Sequence, residues 1–282
     1  MPPILYLDAN VYDHMVKGYI PQAEVNGLRA ALRAGRLTAR LSSADLEELL
    51  GQWETNRSAA LARLRIARDL VGFQGLLKDP TEILREAVEA YAAGSQAPPV
   101  TLPEADRRYV VDHLVDVAAG SLRESPLMSE IIDDVRSRKK RLHTRMTEAK
   151  ALAEKHLEDA VDMRELRKLT FAEYWEAASE SWAERVSTWF DRADDCRRQG
   201  WQGLLAVRPV RGVVGATLSL LFSQVVEESD PDAGDGYDLW HALLASTADV
   251  FITRDARLAK RLSRIPMDDF RVVSSISPLL TL

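Results

Sequence analysis

The spacing of apolar positions changes along this chain, and the change outlines a fold. Near the amino terminus Ile4-Leu5-Tyr6-Leu7 is a short apolar run stopped by Asp8, Leu37–Leu41 is a second run, and Ala23–Ala34 between them repeats its apolar residues at helical spacing. Short apolar runs bounded by polar residues read as buried strands, so this part predicts strand, helix, strand, helix. Gly35 stands where a helix C′ residue is expected. Ser42 or Ser43 is placed to cap the next helix, from Ala44 onward, with Glu47 and Glu48 in its first turn or just beyond. The carboxyl-terminal part returns to the same pattern: a helix over Asp238–Thr247, a strand over Val250–Thr253, a helix over Ala256–Ser263 and a strand over Phe270–Ser274.

From about Ser58 to Glu228 the periodicity is that of long amphipathic helices, punctuated at Pro80, Gly94–Pro103, Ser125-Pro126 and Gly200–Gly203. The stretch from Gly94 to Pro99 is the clearest loop, and Met128–Lys168 has few breakers and predicts one or two long helices. The strands therefore lie at the two ends of the sequence. An α/β core of residues 1–57 and 229–282, carrying a helical insertion of residues 58–228 packed on it or extending from it, is the economical architecture. Trp175, Trp182 and Trp189, with Phe171, Ala178 and Val186 between them, mark a buried seam on one helix rather than a base-stacking surface.

Composition narrows the function classes. With 282 residues and 46% hydrophobic content the chain can bury a sizeable core. It has no basic, apolar leader, and no apolar stretch approaches the roughly 20 residues that span a bilayer, so a cytoplasmic protein without a membrane partner is expected. The single cysteine, Cys196, sits in a polar stretch without an evident base and reads as a surface or half-buried thiol, not a nucleophile. A net charge of −6 argues against a protein that coats nucleic acid through bulk positive charge.

The chemistry lies in carboxylates placed where apolar elements stop. In an open α/β sheet ligands bind beyond the carboxyl ends of the strands, so Asp8 and Asp255 are expected to meet in one crevice although they come from opposite ends of the sequence. Each acid also has an ordinary structural explanation. Asp8, with Asn10, could cap a short helix starting near Val11; Asp255 could cap the helix after Thr253; Asp235 and Asp238 could be a cap and a first-turn anion. Their joint placement is what points to a divalent-metal site, since Mg²⁺ and Mn²⁺ prefer a few hard oxygen ligands.

Leu7-Asp8-Ala9-Asn10 after a first strand, Glu48-Leu49-Leu50 on a helix after a second, Asp238-x-x-His241 opening a helix, and Phe251-Ile252-Thr253-Arg254-Asp255 together resemble a PIN-domain protein. The resemblance covers roughly residues 1–56 and 235–276. It implies a Rossmann-like PIN domain with a parallel central sheet and a metal-dependent ribonuclease site using Mg²⁺ or Mn²⁺. Carried over by position, Asp8, Glu48, Asp238 and Asp255 would be the catalytic metal ligands, with Glu47 and Asp45 as neighbours able to replace Glu48, and Asp235 a substitute for Asp238. Asn10 would be a supporting polar group, and Thr253 would orient Asp255 or a water. His241, one turn after Asp238, is expected at the site edge against a phosphate or an outer carboxylate, and not as a metal ligand. The long span between Glu48 and Asp238 departs from the compact family pattern.

A basic cluster supplies the complementary charge. Arg136, Arg138, Lys139, Lys140, Arg141 and Arg145 are six Lys or Arg within ten residues, suited to phosphate contact without sequence reading. The leading expectation is an endoribonuclease, toxin-like in its chemistry, whose partners would be RNA, an antitoxin or other protein chain, and a second copy of itself. The competing expectation is a catalytically weak PIN-like scaffold that binds protein or RNA through its helices. An aspartyl-phosphate phosphatase fits less well, because Asn10 stands where that chemistry places a second aspartate.

Overall fold

The computed structural model describes residues 1–50, 56–72, 75–107, 168–230 and 235–280, with the isolated positions 137, 140, 144 and 147. Its centre is a four-stranded, all-parallel sheet of β1 (Ile4–Leu7), β2 (Thr38–Arg40), β3 (Val250–Ile252) and β4 (Arg271–Val273), in the order β2-β1-β3-β4. Leu5 pairs with Ala39 on one side and Val250 on the other, so the chain's two ends form the middle of the sheet. The Asp8 amide donates to the Ile252 carbonyl at 3.0 Å, and the Asp249 amide to the Ile4 carbonyl at 2.8 Å, which locks both ends of that pairing. An α/β fold with its sheet built from both termini was legible in the sequence. The strands are shorter than the apolar runs: Leu41 instead bridges Leu76, and the Thr253 amide still reaches the Val273 carbonyl but lies beyond β3.

Alternation along the strands sorts the apolar residues into two cores. Tyr6 and Phe251 point to one face and Leu5, Leu7, Val250 and Ile252 to the other, all essentially inaccessible to solvent. The second face is covered by α1 (Ala9–Val16), α2 (Gln22–Arg33), α3 (Ser43–Leu50) and α4 (Arg57–Val71). Helix α2 stops at Gly35, whose φ of +67° lets the Gly35 amide reach the Leu32 carbonyl and the Arg36 amide the Ala31 carbonyl, as the sequence predicts.

The first face is covered by α5 (Pro80–Ala92), α6 (Phe171–Thr188), α7 (Ala193–Gln199), α8 (Trp201–Ala206), α9 (Arg208–Val225), α10 (Asp235–Ala245) and α11 (Ala256–Ser263). Among the described residues the middle of the chain therefore has no separate core. Leu84, Val186, Leu204 and Val214 share one core with Tyr6 and Phe251, and Leu64 and Leu70 share the other with Leu5 and Leu7. Most of the predicted helical stretch Met128–Lys168 lies outside the described residues. Helix α9 is buried along nearly its whole length because it is sandwiched between α6 and α10.

Three local expectations change. Helix α10 begins at Asp235, not Asp238, since two first-turn carboxylates favour the helix end and outweigh the poor propensity of Gly236. The tryptophan seam is looser than a seven-residue repeat suggests: Trp175 and Trp182 are half-buried against the core, whereas Trp189 follows the last residue of α6 and is 51% exposed. Cys196 is fully buried, and burial pushes its thiol pKa up.

Helix α9 lies close to the end of α10 at Gly212, where an added Cβ would lie 2.7 Å from the Cβ of Ser246, the residue after α10, and 3.0 Å from the Ala242 carbonyl oxygen. Gly212→Ala would gain up to about 1 kcal/mol of helix propensity and lose about 1–3 kcal/mol to overpacking against atoms fixed to the backbone. Urea unfolding is expected to show a net destabilisation of up to about 2 kcal/mol; a raised midpoint would mean that α9 and α10 are not held this close.

Candidate metal centre

Strand order reverses between β1 and β3: from β1 the chain moves outward to β2, and from β3 outward to β4. Such a switch point opens a crevice at the carboxyl ends of the strands, because the flanking connections diverge there. Asp8 directly follows β1 and Thr253 directly follows β3. Glu48 comes in on α3, after β2, and His241 on α10, before β3.

Local structure decides which acids are free. Asp8 holds the N-cap position of α1, with an extended backbone at φ −64° and ψ 148°, but its side chain makes no capping bond. Its Oδ2 instead accepts from Thr253 Oγ1 at 2.5 Å and from Asn10 Nδ2 at 2.6 Å. Asn10 also donates to Thr253 Oγ1 at 3.2 Å and accepts from the Arg254 amide at 3.1 Å, tying α1 to the loop after β3. Asp255 has the ordinary role. Its Oδ1 caps α11 by accepting from the amides of Arg257 at 2.7 Å and Leu258 at 3.0 Å. Thr253 thus orients Asp8, not Asp255's carboxylate: its contact with Asp255 is a hydrogen bond from that residue's backbone amide at 3.0 Å.

Helix α3 starts on a buried reciprocal cap. Asp45 Oδ2 accepts from the Ser42 amide at 2.8 Å and from Ser42 Oγ at 2.7 Å, and the Asp45 amide donates to Ser42 Oγ at 3.1 Å. This gives Asp45 a structural task and leaves Glu48, one turn later, to face His241 at 3.2 Å from Nε2 to Oε2. The Glu47 side chain lies outside the described part of the structure.

His241 is central to the cluster. It is 2% exposed, its Nδ1 lies 3.1 Å from the Tyr6 hydroxyl, and that hydroxyl lies 2.9 Å from Ser42 Oγ. Asp45 Oδ1 is 3.7 Å from the same ring nitrogen and has no hydrogen-bond partner. One ligand atom each from Asp8, Glu48 and His241 lies within 4.8 Å of the others. The sequence placed His241 at the site edge; in the fold it is buried, and although helical spacing relates it to Asp238, its ring faces Glu48 and lies close to Asp8. The contacts of Tyr6 and Ser42 with this cluster were not anticipated from the sequence. A tyrosine inside an apolar strand was the available signal, because a buried hydroxyl needs a partner.

Of the four predicted carboxylates, Asp8 and Glu48 lie with His241, and Asp238 and Asp255 each have partners elsewhere. Asp238 Oδ2 accepts from Arg261 Nη1 at 2.8 Å, and buried Asp235 takes the same nitrogen at 2.6 Å. Asp238 remains close enough to His241 for their charges to interact. Of the basic cluster, Lys140 is exposed, whereas Arg136, Arg138, Lys139, Arg141 and Arg145 lie outside the described residues.

Burial sets the protonation of these groups. It raises the Asp8 pKa, with the His241 charge and the Thr253 hydrogen bond only partly offsetting it, and lifts Asp45 to about 7 and Asp238 to about 6. For His241 burial opposes the charged ring, but the Glu48 hydrogen bond and the charges of Glu48, Asp45 and Asp8 outweigh it and bring the pKa to about 10. The ring thus serves as the cluster's own cation. A divalent ion fits the same demand, as it would favour the charged Asp8 carboxylate and take His241 neutral. Two carboxylates and an imidazole suit Mn²⁺ better than Mg²⁺, which prefers oxygen alone.

No protein-family model, no curated protein and no solved structure matches this chain. The resemblance to PIN-domain proteins rests on the sequence motifs; the α/β fold with its all-parallel sheet is compatible with the broader Rossmann-like class.

Asp8, Asp45, Asp238 and His241 all have raised pKa values, so each stabilises the fold fully below its unfolded pKa and progressively less as pH rises through the folded one. The carboxylates lose their contribution from about pH 4 upward through 6 and 7, and His241 from about 6.5 toward 10. Glu227, lowered to about 2 where burial is outweighed by Arg264 and Lys260, is constant over this range. In chelator the melting temperature should therefore fall between pH 5.5 and 9, by about 2–4 °C per kcal/mol lost. A melting temperature that climbs with pH across that window would contradict the assignment.

Proposed function

We propose that this chain is a PIN-like, divalent-metal-dependent endoribonuclease whose ion is held by Asp8, Glu48 and His241. The observation that carries the reading is the convergence of these three ligand atoms within 4.8 Å at the switch point of a parallel sheet. RNA as the substrate follows from the sequence resemblance. When bound there, a divalent ion would supply Lewis-acid charge at the phosphodiester and make water a stronger nucleophile at neutral pH.

The chain's own residues do the positioning. Thr253 and Asn10 fix the Asp8 carboxylate by two donors on one oxygen. Tyr6 holds Nδ1 of His241 and presents Nε2 to the site, and partners of this kind set the ring's orientation and basicity. Arg254, exposed, anchored through its amide to Asn10 and with Nη1 donating to the Ser274 carbonyl at 3.2 Å, is a cation beside the crevice that would meet a phosphate. The helices over the first face restrict how an RNA strand approaches.

One observation favours the second reading, a catalytically weak scaffold: His241 already neutralises Glu48, and Asp238 and Asp255 have other partners, so the cluster is internally satisfied. RNA cleavage with Mn²⁺ separates the two. The nuclease reading expects cleavage that Mn²⁺ supports better than Mg²⁺ and that Asp8→Asn lowers more than about 100-fold, since loss of even an outer partner costs about 10–100-fold. Equal rates for wild type and variant would leave the scaffold. Tyr6→Phe should weaken Mn²⁺ affinity by about 10–100-fold, measured by calorimetry, while the fold persists; unchanged affinity would remove the orienting role of that hydroxyl.

A further inference from the structure

The acidic residues that the sequence gathers into one cluster fall into two groups in the fold. Asp8 and Glu48 face His241, whereas Asp235 and Asp238, in the first turn of α10, face Arg261 of α11. A single guanidinium nitrogen, Nη1, bridges the two carboxylates at 2.6 and 2.8 Å, with Asp235 fully buried and the Arg261 side chain only 5% exposed. Gln224 Nε2 donates to the other Asp235 oxygen at 3.3 Å, and Arg257 approaches Asp235 at 3.5 Å.

We infer that Arg261 is a built-in cation that holds the Asp235–Asp238 carboxylate pair against a second divalent ion. Three observations carry this. Nη1 lies where an ion bridging the two carboxylates would lie. The guanidinium cannot leave by losing its proton, because arginine stays charged in proteins. The space beside it is a cavity of about 10 Å³ lined by Asp235, Asp238, Arg261 and leucines, room for about one water and not for a hydrated cation. The Nε of Arg261 is itself buried without a partner, a cost that the two carboxylate contacts offset and that makes the arginine's position specific to them. The consequence is one exchangeable ion per chain where four converging carboxylates would predict two. The count of one rests on the proposed Asp8–Glu48–His241 centre; the exclusion at Asp235 and Asp238 does not.

Mn²⁺ titration of the full chain by calorimetry tests it. Wild type should bind one ion, Asp238→Asn should still bind one, and Arg261→Gln should gain one more, with a larger rise in melting temperature on adding Mn²⁺ than wild type shows. Loss of an ion in Asp238→Asn overturns the inference, and so does a folded Arg261→Gln that gains none. Should Arg261→Gln fail to fold, the Asp238→Asn count alone decides, unchanged in favour and reduced against. A wild type that binds no ion removes the Asp8–Glu48–His241 centre, yet a gain from none to one in Arg261→Gln would still sustain the role of Arg261.

Discussion

Pairing of β1 with β3 is the constraint on which the rest depends. It joins residues from opposite ends of the chain, aligns Leu7 with Ile252, and leaves Asp8 and Thr253 side by side where the two strands stop. Because the sheet is parallel, both strands end at the same edge, so everything that follows them is delivered to one crevice. The helices then have to cover two apolar faces whose membership was fixed by alternation along β1 and β3. Helix α10 is pressed against the first face by α9, and that pressure places His241 under the crevice.

The site concentrates charge that water cannot reach. Asp8 and Asp45 are almost wholly buried with His241 between their neighbourhoods, and a buried carboxylate without a cation is costly. The fold answers with two cations of different kinds. On the proposed reading, His241 would release its proton to solvent when a metal binds, so its half of the cluster would exchange one cation for another. Arg261 cannot, so its half is fixed. The same element, α10, contributes to both halves, with Asp235 and Asp238 in its first turn and His241 one turn on.

Much of this was legible in the sequence, for identifiable reasons. The strands were readable because their apolar runs are short and abruptly ended, and the Gly35 stop because a positive φ there leaves its mark in residue choice. The rule for strand ends brought the ends of β1 and β3 together, but it paired Asp8 with Asp255, whereas it is Thr253 that meets Asp8. What the sequence did not carry was rotation about helix axes. Asp238 and His241 share a helical face by spacing, but packing turns one to Arg261 and the other to Glu48. Asp255 and Asp8 look alike as residues preceding helices, yet one caps and the other does not, because Thr253 and Asn10 compete for Asp8 alone. The aromatic repeat misled at Trp189 because a seven-residue period drifts on a straight helix and this residue lies past its end.

The account is tested most directly by anomalous X-ray scattering from crystals of the full chain soaked in Mn²⁺, which locates the ion itself. It predicts a peak bounded by Asp8, Glu48 and His241 at the carboxyl ends of β1 and β3, with none between Asp235 and Asp238. A peak between Asp235 and Asp238, or no peak at the crevice at saturating Mn²⁺, would contradict it.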